Sequence, residues 1–426
     1  MKVLRHQAFA RLILSYLVSQ AGSKVHRVAL LVLVYLLTEK ALWVSLVLGV
    51  QLLGTVVFSP LLSAWADTQD RKRLLVWSDL LRAPLVALIP LLGAKSLPAL
   101  LLLVFLIELL RDLHDPIQNA VVPDLVPEEE VDEANSLILL ADRLSEVLFV
   151  GAAGILVAAV GPAFAFYLDA LTYLASGLLL QGLPSLRPQR LPKAGYLERV
   201  KEGLGHLLHH PTIRRAVGTL FAAAAFGSVE TALGVVLALK WLGVGSAGFG
   251  FMEAAMALGA ILGGVSLPHL LRRIPRERLF LLALLLFGVF EASVGLFPVF
   301  AWTLAAFFVS GFLNMAFIVP ARSILQLNTP QEMRGRIFAA FSAVMNAAVL
   351  IGTMLGGALE GVLGAPGSSS WRGPWWPWPQ ATPSSPGASP PPRPGKPKRP
   401  RLGSATRRPG KALLGPPLWR KPERGT

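Results

Sequence analysis

The chain has 426 residues, of which 54% are hydrophobic and only 15% are charged, and its mean hydropathy is +0.57. Soluble domains carry about a quarter charged residues, so this composition excludes an ordinary soluble protein. It predicts an all-α polytopic membrane protein. The absence of cysteine excludes disulfides and thiolate metal sites.

Apolar runs recur along the chain, each long enough to cross a bilayer, which takes about 20 residues. They predict eleven membrane-spanning helices, at 9–37, 42–66, 74–93, 97–121, 134–160, 162–183, 214–240, 246–271, 278–297, 299–319 and 334–363. No small-residue cleavage pattern follows the first run, so we expect it to be a retained anchor rather than a signal peptide.

Basic residues alternate between the two sides of the predicted spans. The side that holds Arg71, Lys72 and Arg73 also holds the basic stretch 187–201, whereas the connections on the other side carry little more than Lys40 and Lys95. Cytoplasmic loops hold the excess of Lys and Arg. The pattern therefore predicts a multi-pass protein of the cell inner membrane with a cytoplasmic N-terminus.

The connection at 184–213 is the longest between spans and divides the chain into two related halves. Residues 1–183 form a predicted N-terminal bundle of spans 1–6, and residues 214–364 a C-terminal bundle of spans 7–11. The linker contains apolar residues at helical spacing over 197–208, which predicts an amphipathic helix at the membrane surface. Paired halves around a central loop are typical of transporters whose bundles rock about a midplane site.

Residues 365–426 differ from the rest of the chain. They hold twelve Lys and Arg against one Glu, 16 of the 33 prolines and five of the ten tryptophans. Such a segment cannot bury enough apolar surface to fold, so we expect a disordered, basic, Pro-rich tail. Most of the positive net charge of the chain lies in this tail, so residues 1–364 are not notably basic. We therefore predict no nucleic-acid partner.

The codons of this tail suggest that it is translated out of frame. Residues 375–379, Trp-Trp-Pro-Trp-Pro, must be encoded TGG TGG CCN TGG CCN. One base earlier, the same DNA reads NTG GTG GCC NTG GCC, which encodes only apolar residues typical of a membrane helix. We interpret the tail as the result of a frameshift that replaced a twelfth span. The alternative is a genuine basic tail.

Several segments resemble the major facilitator superfamily, and in particular its enterobactin-exporter-like branch. The residues from Ser63 to Arg73 resemble the signature loop of the superfamily, although Ser63, Thr68 and Asp70 depart from it. Other segments similar to the branch lie at 17–22, 27–31, 78–82, 123–127, 134–136, 167–172 and 329–336. The resemblance implies two pseudo-symmetric six-helix bundles, of which the second lacks its twelfth helix.

The resemblance also implies which residues act. The loop after span 2 is expected to hold the cytoplasmic side shut, with a network of Asp67, Arg71, Lys72, Arg73, Asp79 and Arg82. An alternative is that the basic residues of this loop only set topology. The proline-bearing antiporter motif expected in span 5 is missing.

Charged residues at bilayer depth are costly and therefore point to function. Superfamily members line their central cavity with spans 1, 4, 7 and 10. Candidates for substrate binding or proton coupling on these spans are Gln20, Lys24, Arg27, Glu108, Arg111, Asp112, Glu230 and Asn314. Structural ion pairs between helices are the alternative, and for Glu146, Asp169, Glu253 and Glu291 this structural role is the prediction.

The chain has no phosphate-binding loop, His-Glu-x-x-His or Gly-x-Ser-x-Gly motif, so we predict neither an enzyme nor a cofactor. We predict a monomeric secondary transporter that exports a small amphipathic molecule, drug-like or a siderophore, coupled to a proton gradient. The alternatives are a lysophospholipid or metabolite transporter, and an inactive membrane remnant or scaffold.

Overall fold

The computed structural model describes residues 2–58, 62, 65–66, 68–186, 196–329 and 333–363. Within them lie twelve long helices: α1 Gln7–Thr38, α2 Ala41–Leu53, α3 Arg71–Leu88, α4 Leu97–Ala120, α5 Val131–Val160, α6 Pro162–Leu180, α7 Tyr196–His209, α8 Pro211–Val236, α9 Gly245–Arg273, α10 Arg276–Leu296, α11 Phe300–Leu327 and α12 Arg334–Leu363. Helices α2, α3 and α8 each continue as a π-helical turn, at Gly54–Phe58, Ile89–Gly93 and Leu237–Trp241.

Helix ends follow local sequence signals. The Asp70 side chain caps α3 by accepting hydrogen bonds from the backbone N–H groups of Lys72 and Arg73, at 2.9 and 3.3 Å. Between α5 and α6 the chain turns at Gly161, whose φ of 82° suits glycine, and α6 then begins with Pro162. These signals let antiparallel neighbours follow one another through short connections.

Ten helices of the described part are long and apolar enough to cross a membrane, where the sequence predicts eleven. The difference is α4, which is helical over Leu97–Ala120 but carries Glu108, Arg111, Asp112 and Asp115. With these four charged residues, α4 is too polar to be recognised as a membrane span from its composition. Helix α4 nevertheless packs against α2 and α3 inside the bundle, so bundle contacts, not hydropathy, place it among the spans.

Two bundles make up the structure, and α1–α12 belong to one compact unit. In the first half, α1–α6, helix α1 packs against α5 and α6, and α3 packs against α4 and α6. In the second half, α8–α12, helix α11 packs against α9 and α10, and α8 packs against α12. The halves meet mainly where α5 packs against α9 and where α2 packs against α12.

Both of these inter-half contacts are tight at the same end of the molecule. We call this the distal end, because it lies opposite the proximal end, where α1 begins. At the α5–α9 contact, a Cβ atom added to Gly154 would lie 2.5 Å from the Ser246 carbonyl oxygen and 2.8 Å from Gly250 Cα. At the α2–α12 contact, a Cβ on Gly357 would lie 2.9 Å from Leu42 Cα. The backbones of the two halves therefore touch at the distal end.

Helix α7 lies at the proximal end, where the sequence predicts an amphipathic helix. It packs against α12 and makes an ion pair across that contact, with Arg336 Nη1 and Glu202 Oε2 2.5 Å apart. A Cβ on Gly203 would lie 2.1 Å from the Arg336 carbonyl oxygen. The linker helix is thus docked on the second half.

Candidate functional site between the two halves

An ion pair joins the two halves near the middle of the membrane-spanning helices. Arg27 of α1 donates to Glu253 of α9 in the other half, with Nη2 and Oε2 3.0 Å apart. The same guanidinium donates to Glu146 of α5 in its own half, at 3.3 Å. Arg27 therefore bridges one carboxylate from each half.

Lys24 lies one turn before Arg27 and completes this cluster. Its ammonium group pairs with Glu146 and lies 3.8 Å from Asp142 Oδ1. Tyr16 donates a hydrogen bond to Asp142 at 3.2 Å. Lys24 and Arg27 share a helix face, as the sequence predicts, and the half-buried Gln20 occupies the same face.

The second half also carries carboxyl groups at about the same depth as Arg27. Glu230 of α8 and Glu291 of α10 approach closely enough for their side chains to hydrogen bond, and Glu253 lies close enough to Glu230 for electrostatic interaction. Ser310 of α11 lies beside Glu291. Asn314 follows one turn later, on the same face of α11. The second half thus brings three carboxyl groups together at this depth.

Helix α4 carries a further charged cluster, which faces α2. Arg111 Nη1 lies 3.4 Å from Glu108 Oε1, and Arg111 Nε lies 3.4 Å from Asp115 Oδ2. Asp112 accepts a hydrogen bond of 3.0 Å from Thr55, in the π-helical turn of α2. The ion pairs of this cluster lie within α4, and the hydrogen bond from Thr55 connects α4 to α2. All of these contacts lie within the first half.

Two arginines in the membrane-spanning helices have partly exposed side chains. The Arg27 side chain is 45% exposed and the Arg111 side chain 52% exposed, although both lie far from the ends of their helices. Charged groups in contact with lipid at this depth are strongly disfavoured, whereas charged groups that line an aqueous cavity are tolerated.

Two residues that the sequence assigns to the gating network lie in the core of the first half. Asp79 and Arg82 form an ion pair within α3, and Arg82 is only 3% exposed. Ser176 of α6 donates to Asp79 at 2.5 Å, and His114 of α4 lies 3.5 Å from the same carboxylate. The Arg82 guanidinium lies 4.4 Å from the centroid of the Tyr173 ring. These contacts fasten α3 to α4 and α6.

Arg71, Lys72 and Arg73 of the predicted gating network lie at the proximal end. Asp67 falls outside the described residues. Arg71 pairs with Asp124 at 3.0 Å, and the backbone N–H groups of Lys72 and Arg73 bond to Asp70.

Asp70 stabilises this loop as a carboxylate. Partial burial opposes its ionisation, but hydrogen bonds from the Ser185 hydroxyl and from the backbone N–H groups of Arg73, Leu186 and Lys72 hold the pKa of Asp70 below its ordinary value. The Ser185 bond, at 2.5 Å, also ties the loop to the segment after α6.

The structure gives the cationic residues of α1 partners different from those that the sequence favours. The resemblance, which places spans 1, 4 and 7 around one cavity, favours Glu108 and Glu230 as the partners of Lys24 and Arg27, whereas these two cations pair with Glu146 and Glu253. His26 faces another direction and lies 2.9 Å from Asp169 of α6. A signal for the correct partners exists in the sequence, because Glu146 is central in its span and therefore at the depth of Lys24.

A profile of the Major Facilitator Superfamily matches residues 12–353. The chain belongs to the major facilitator superfamily. The match covers both halves, and it agrees with the two helical bundles of the structure.

Relatives and solved structures agree with this assignment. The chain is 28% identical to the enterobactin exporter of Escherichia coli O1:K1 over 370 residues, which cover 84% of this chain and 86% of the relative. The enterobactin exporter of Citrobacter koseri is likewise 28% identical, over 372 residues. A nucleoside transporter, NupG, superposes with a TM-score of 0.70 at 11% identity, covering 83% of this chain and 90% of that chain. A bacterial homologue of the iron transporter ferroportin, in an inward-facing state, has a TM-score of 0.64 at 19% identity, with coverage of 83% and 91%. The fold is thus the major facilitator fold, in a multi-pass membrane protein.

Proposed function

We propose that this chain is a secondary active transporter of the bacterial inner membrane that exports small amphipathic molecules by alternating access, coupled to protons. The observation that carries the proposal is the Arg27–Glu253 ion pair, which joins the two halves near the middle of the membrane-spanning helices. An ion pair between rigid bodies that must move apart forms in one state and is lost in another. The export function of the enterobactin exporters supports the direction of transport.

The contacts at the distal end define the state that the structure represents. Backbone contact at Gly154 and Gly357 closes the space between the halves at that end. We propose that the proximal end faces the cytoplasm, because the loops at that end hold the excess of Lys and Arg. We therefore interpret the structure as closed to the outside, with export requiring the distal contacts to part.

The charges of the central cluster support coupling to protons. When the halves rock, the ion pair of Arg27 with Glu146 persists, because both residues lie in the first half. The ion pair of Arg27 with Glu253 breaks. A carboxylate left without its cation at this depth is strongly destabilised. We propose that uptake of a proton by the central cluster accompanies the loss of this ion pair, and that the proton leaves when the pair forms again.

Charge exchange between the two residues tests this proposal. Arg27→Glu and Glu253→Arg each place like charges across the interface, so each should reduce export by at least about tenfold, the effect of roughly 1.4 kcal/mol. The double exchange restores an attractive pair and should recover part of the activity. Export is measured as extrusion of a fluorescent amphipathic dye from cells, and Arg273→Glu at the proximal end of α9 is the matched control.

Two outcomes would count against the proposal. If the double exchange is no better than either single change, the ion pair between the halves does not operate in transport. If the unaltered chain exports none of a panel of drug-like, siderophore, lysophospholipid and metabolite substrates, it is a membrane remnant or scaffold. In that case the panel is repeated on a chain in which residues 365–426 are replaced by the translation of the shifted reading frame, which tests whether a frameshift is the cause.

A further inference from the structure

A groove lies at the proximal end of the second half, where the linker helix α7 packs beside α8 and α12. We call it the linker groove, and its volume is about 170 Å³. Arg214, near the start of α8, is the charged residue of its wall. The other side chains of the wall are apolar and include Leu204, Leu207 and Leu208 of α7, Val217 and Phe221 of α8, and Val344 of α12.

The linker groove is bordered by apolar side chains that the protein leaves uncovered. Leu204 and Leu208 lie one turn apart on α7 and are 38% and 54% exposed, whereas Leu207, which faces the bundle, is 2% exposed. An amphipathic helix at a membrane surface places such side chains in contact with acyl chains. The exposed edge of α7 therefore opens the groove towards the hydrocarbon of the bilayer.

The groove also has room beside the backbone of α8. Gly218 lines it, and a Cβ atom added to Gly218 would meet nothing within 4 Å. From Arg214 to Phe221 helix α8 rises by about 10 Å, at about 1.5 Å a residue. The groove thus extends from a cationic group near the membrane surface along an apolar wall, which matches a headgroup followed by the first part of an acyl chain.

The charges at the mouth of the groove favour an anion. Arg214 and Arg215 are exposed, and neither forms an ion pair with another side chain that the structure describes. Glu202 of α7 is already paired with Arg336 of α12. Arginines near a membrane surface attract anionic headgroups, and the planar guanidinium suits the oxygens of a phosphate.

We infer that the linker groove binds an anionic phospholipid, with one acyl chain along α8 and the phosphate on Arg214. The lipid fills the space between α7, α8 and α12, and it holds the linker helix against the membrane surface. A zwitterionic phospholipid fits the apolar wall equally well, but the cation of its headgroup offsets the attraction to Arg214. The inference does not depend on which molecule the chain transports.

Quenching of a fluorescent label at the mouth of the groove tests the inference. The chain has no cysteine, so Leu208→Cys provides a single thiol for a bimane label on the purified full chain in detergent micelles. Bimane is quenched by phospholipids with brominated acyl chains that bind beside it. Brominated phosphatidylglycerol should quench at an about fivefold lower mole fraction than brominated phosphatidylcholine, the effect of about 1 kcal/mol for one arginine.

Two changes of Arg214 separate its charge from its size. Arg214→Gln should remove the preference for phosphatidylglycerol, because the attraction to the headgroup is lost. Arg214→Lys keeps the charge and should retain the preference.

A third change fills the groove without altering its charge. Gly218→Leu places a side chain where the acyl chain lies and should weaken quenching by both brominated lipids at Leu208. Gly264→Leu on α9 is the matched control, because an added Cβ there also meets nothing within 4 Å. A second label at Leu178, which is 63% exposed at the proximal end of α6, reports ordinary lipid contact and should respond to neither Gly218→Leu nor Arg214→Gln.

The inference is overturned if the two brominated lipids quench the label at Leu208 equally, a result that requires no variant of the groove to fold. It is also overturned if Gly218→Leu leaves the quenching unchanged, or lowers it no more than Gly264→Leu does. If glycerol phosphate displaces the brominated lipid as effectively as unbrominated phosphatidylglycerol, the site recognises a free phosphate group and not a lipid.

Discussion

Gly154 should control the closure of the distal end. An added Cβ would lie 2.5 Å from the Ser246 carbonyl oxygen, 2.8 Å from Gly250 Cα and 3.0 Å from Gly250 N. All three atoms belong to the backbone of the opposite half, so no side chain can move aside, and the two helices must separate. Overpacking of this kind costs about 1–3 kcal/mol, and the cost falls only on the closed state.

The gain in helix propensity from glycine to alanine acts equally in both states and cancels. Gly154→Ala should therefore shift the equilibrium towards the distally open state by about 5- to 150-fold. Spin labels on Val160 and Leu296, which are exposed near the distal ends of α5 and α10, report the change by double electron–electron resonance. The long-distance population should increase.

The control is Gly264→Ala on α9, where an added Cβ meets nothing within 4 Å. The reasoning is refuted if Gly154→Ala leaves the distance distribution unchanged. It is equally refuted if Gly264→Ala shifts the distribution as much, because the effect would then come from the change to alanine and not from the contact.

Three further predictions concern stability, measured by thermal unfolding in detergent. Asp70→Ala removes the cap of α3 and should cost about 0.5–2 kcal/mol. Because hydrogen bonds lower the pKa of Asp70, its contribution is complete above the ordinary value of 3.8. This contribution is lost as the pH falls through the lower folded-state pKa of Asp70. The difference in stability between Asp70→Ala and the unaltered chain should therefore become smaller in acid. Arg82→Met leaves the buried Asp79 carboxylate without its cation and should cost about 3–5 kcal/mol; a cost below about 1 kcal/mol would show that this pair does not fasten the first half. Glu202→Gln breaks the exposed pair with Arg336 and should cost less than about 1 kcal/mol; a larger loss would mean that α7 depends on this pair for docking.

The sequence is sufficient to predict the architecture because hydropathy is a property of a whole helix, and the basic residues of the loops indicate how successive helices alternate in direction. Ten of the eleven predicted spans have the length and composition of membrane helices within the described residues. Helix α4 shows the limit of this reasoning, since its charges resemble those of a soluble helix while its packing places it in the bundle.

The partners of the charged residues could be predicted only in part. Helical spacing correctly places Lys24 and Arg27 on one face, because that relation depends on a single helix. Which carboxylate they meet depends on the rotation and tilt of α5 and α9, which no local pattern encodes. For that reason Glu146 and Glu253, assigned to structural roles from the sequence, contact the cations at the centre. Asp79 and Arg82 lie near the signature loop in sequence, yet they point into the first half.

The most direct test of alternating access is to measure both ends of the transporter in one variant. Glu253→Gln mimics the protonated carboxyl and removes the charge that holds Arg27. Distances between labels on Val160 and Leu296 report the distal end, and labels on the exposed Glu129 and Arg273 report the proximal end. We predict that Glu253→Gln lengthens the distal distance and shortens the proximal distance. If neither distance changes, or if both change in the same direction, the two halves do not rock about the Arg27–Glu253 pair.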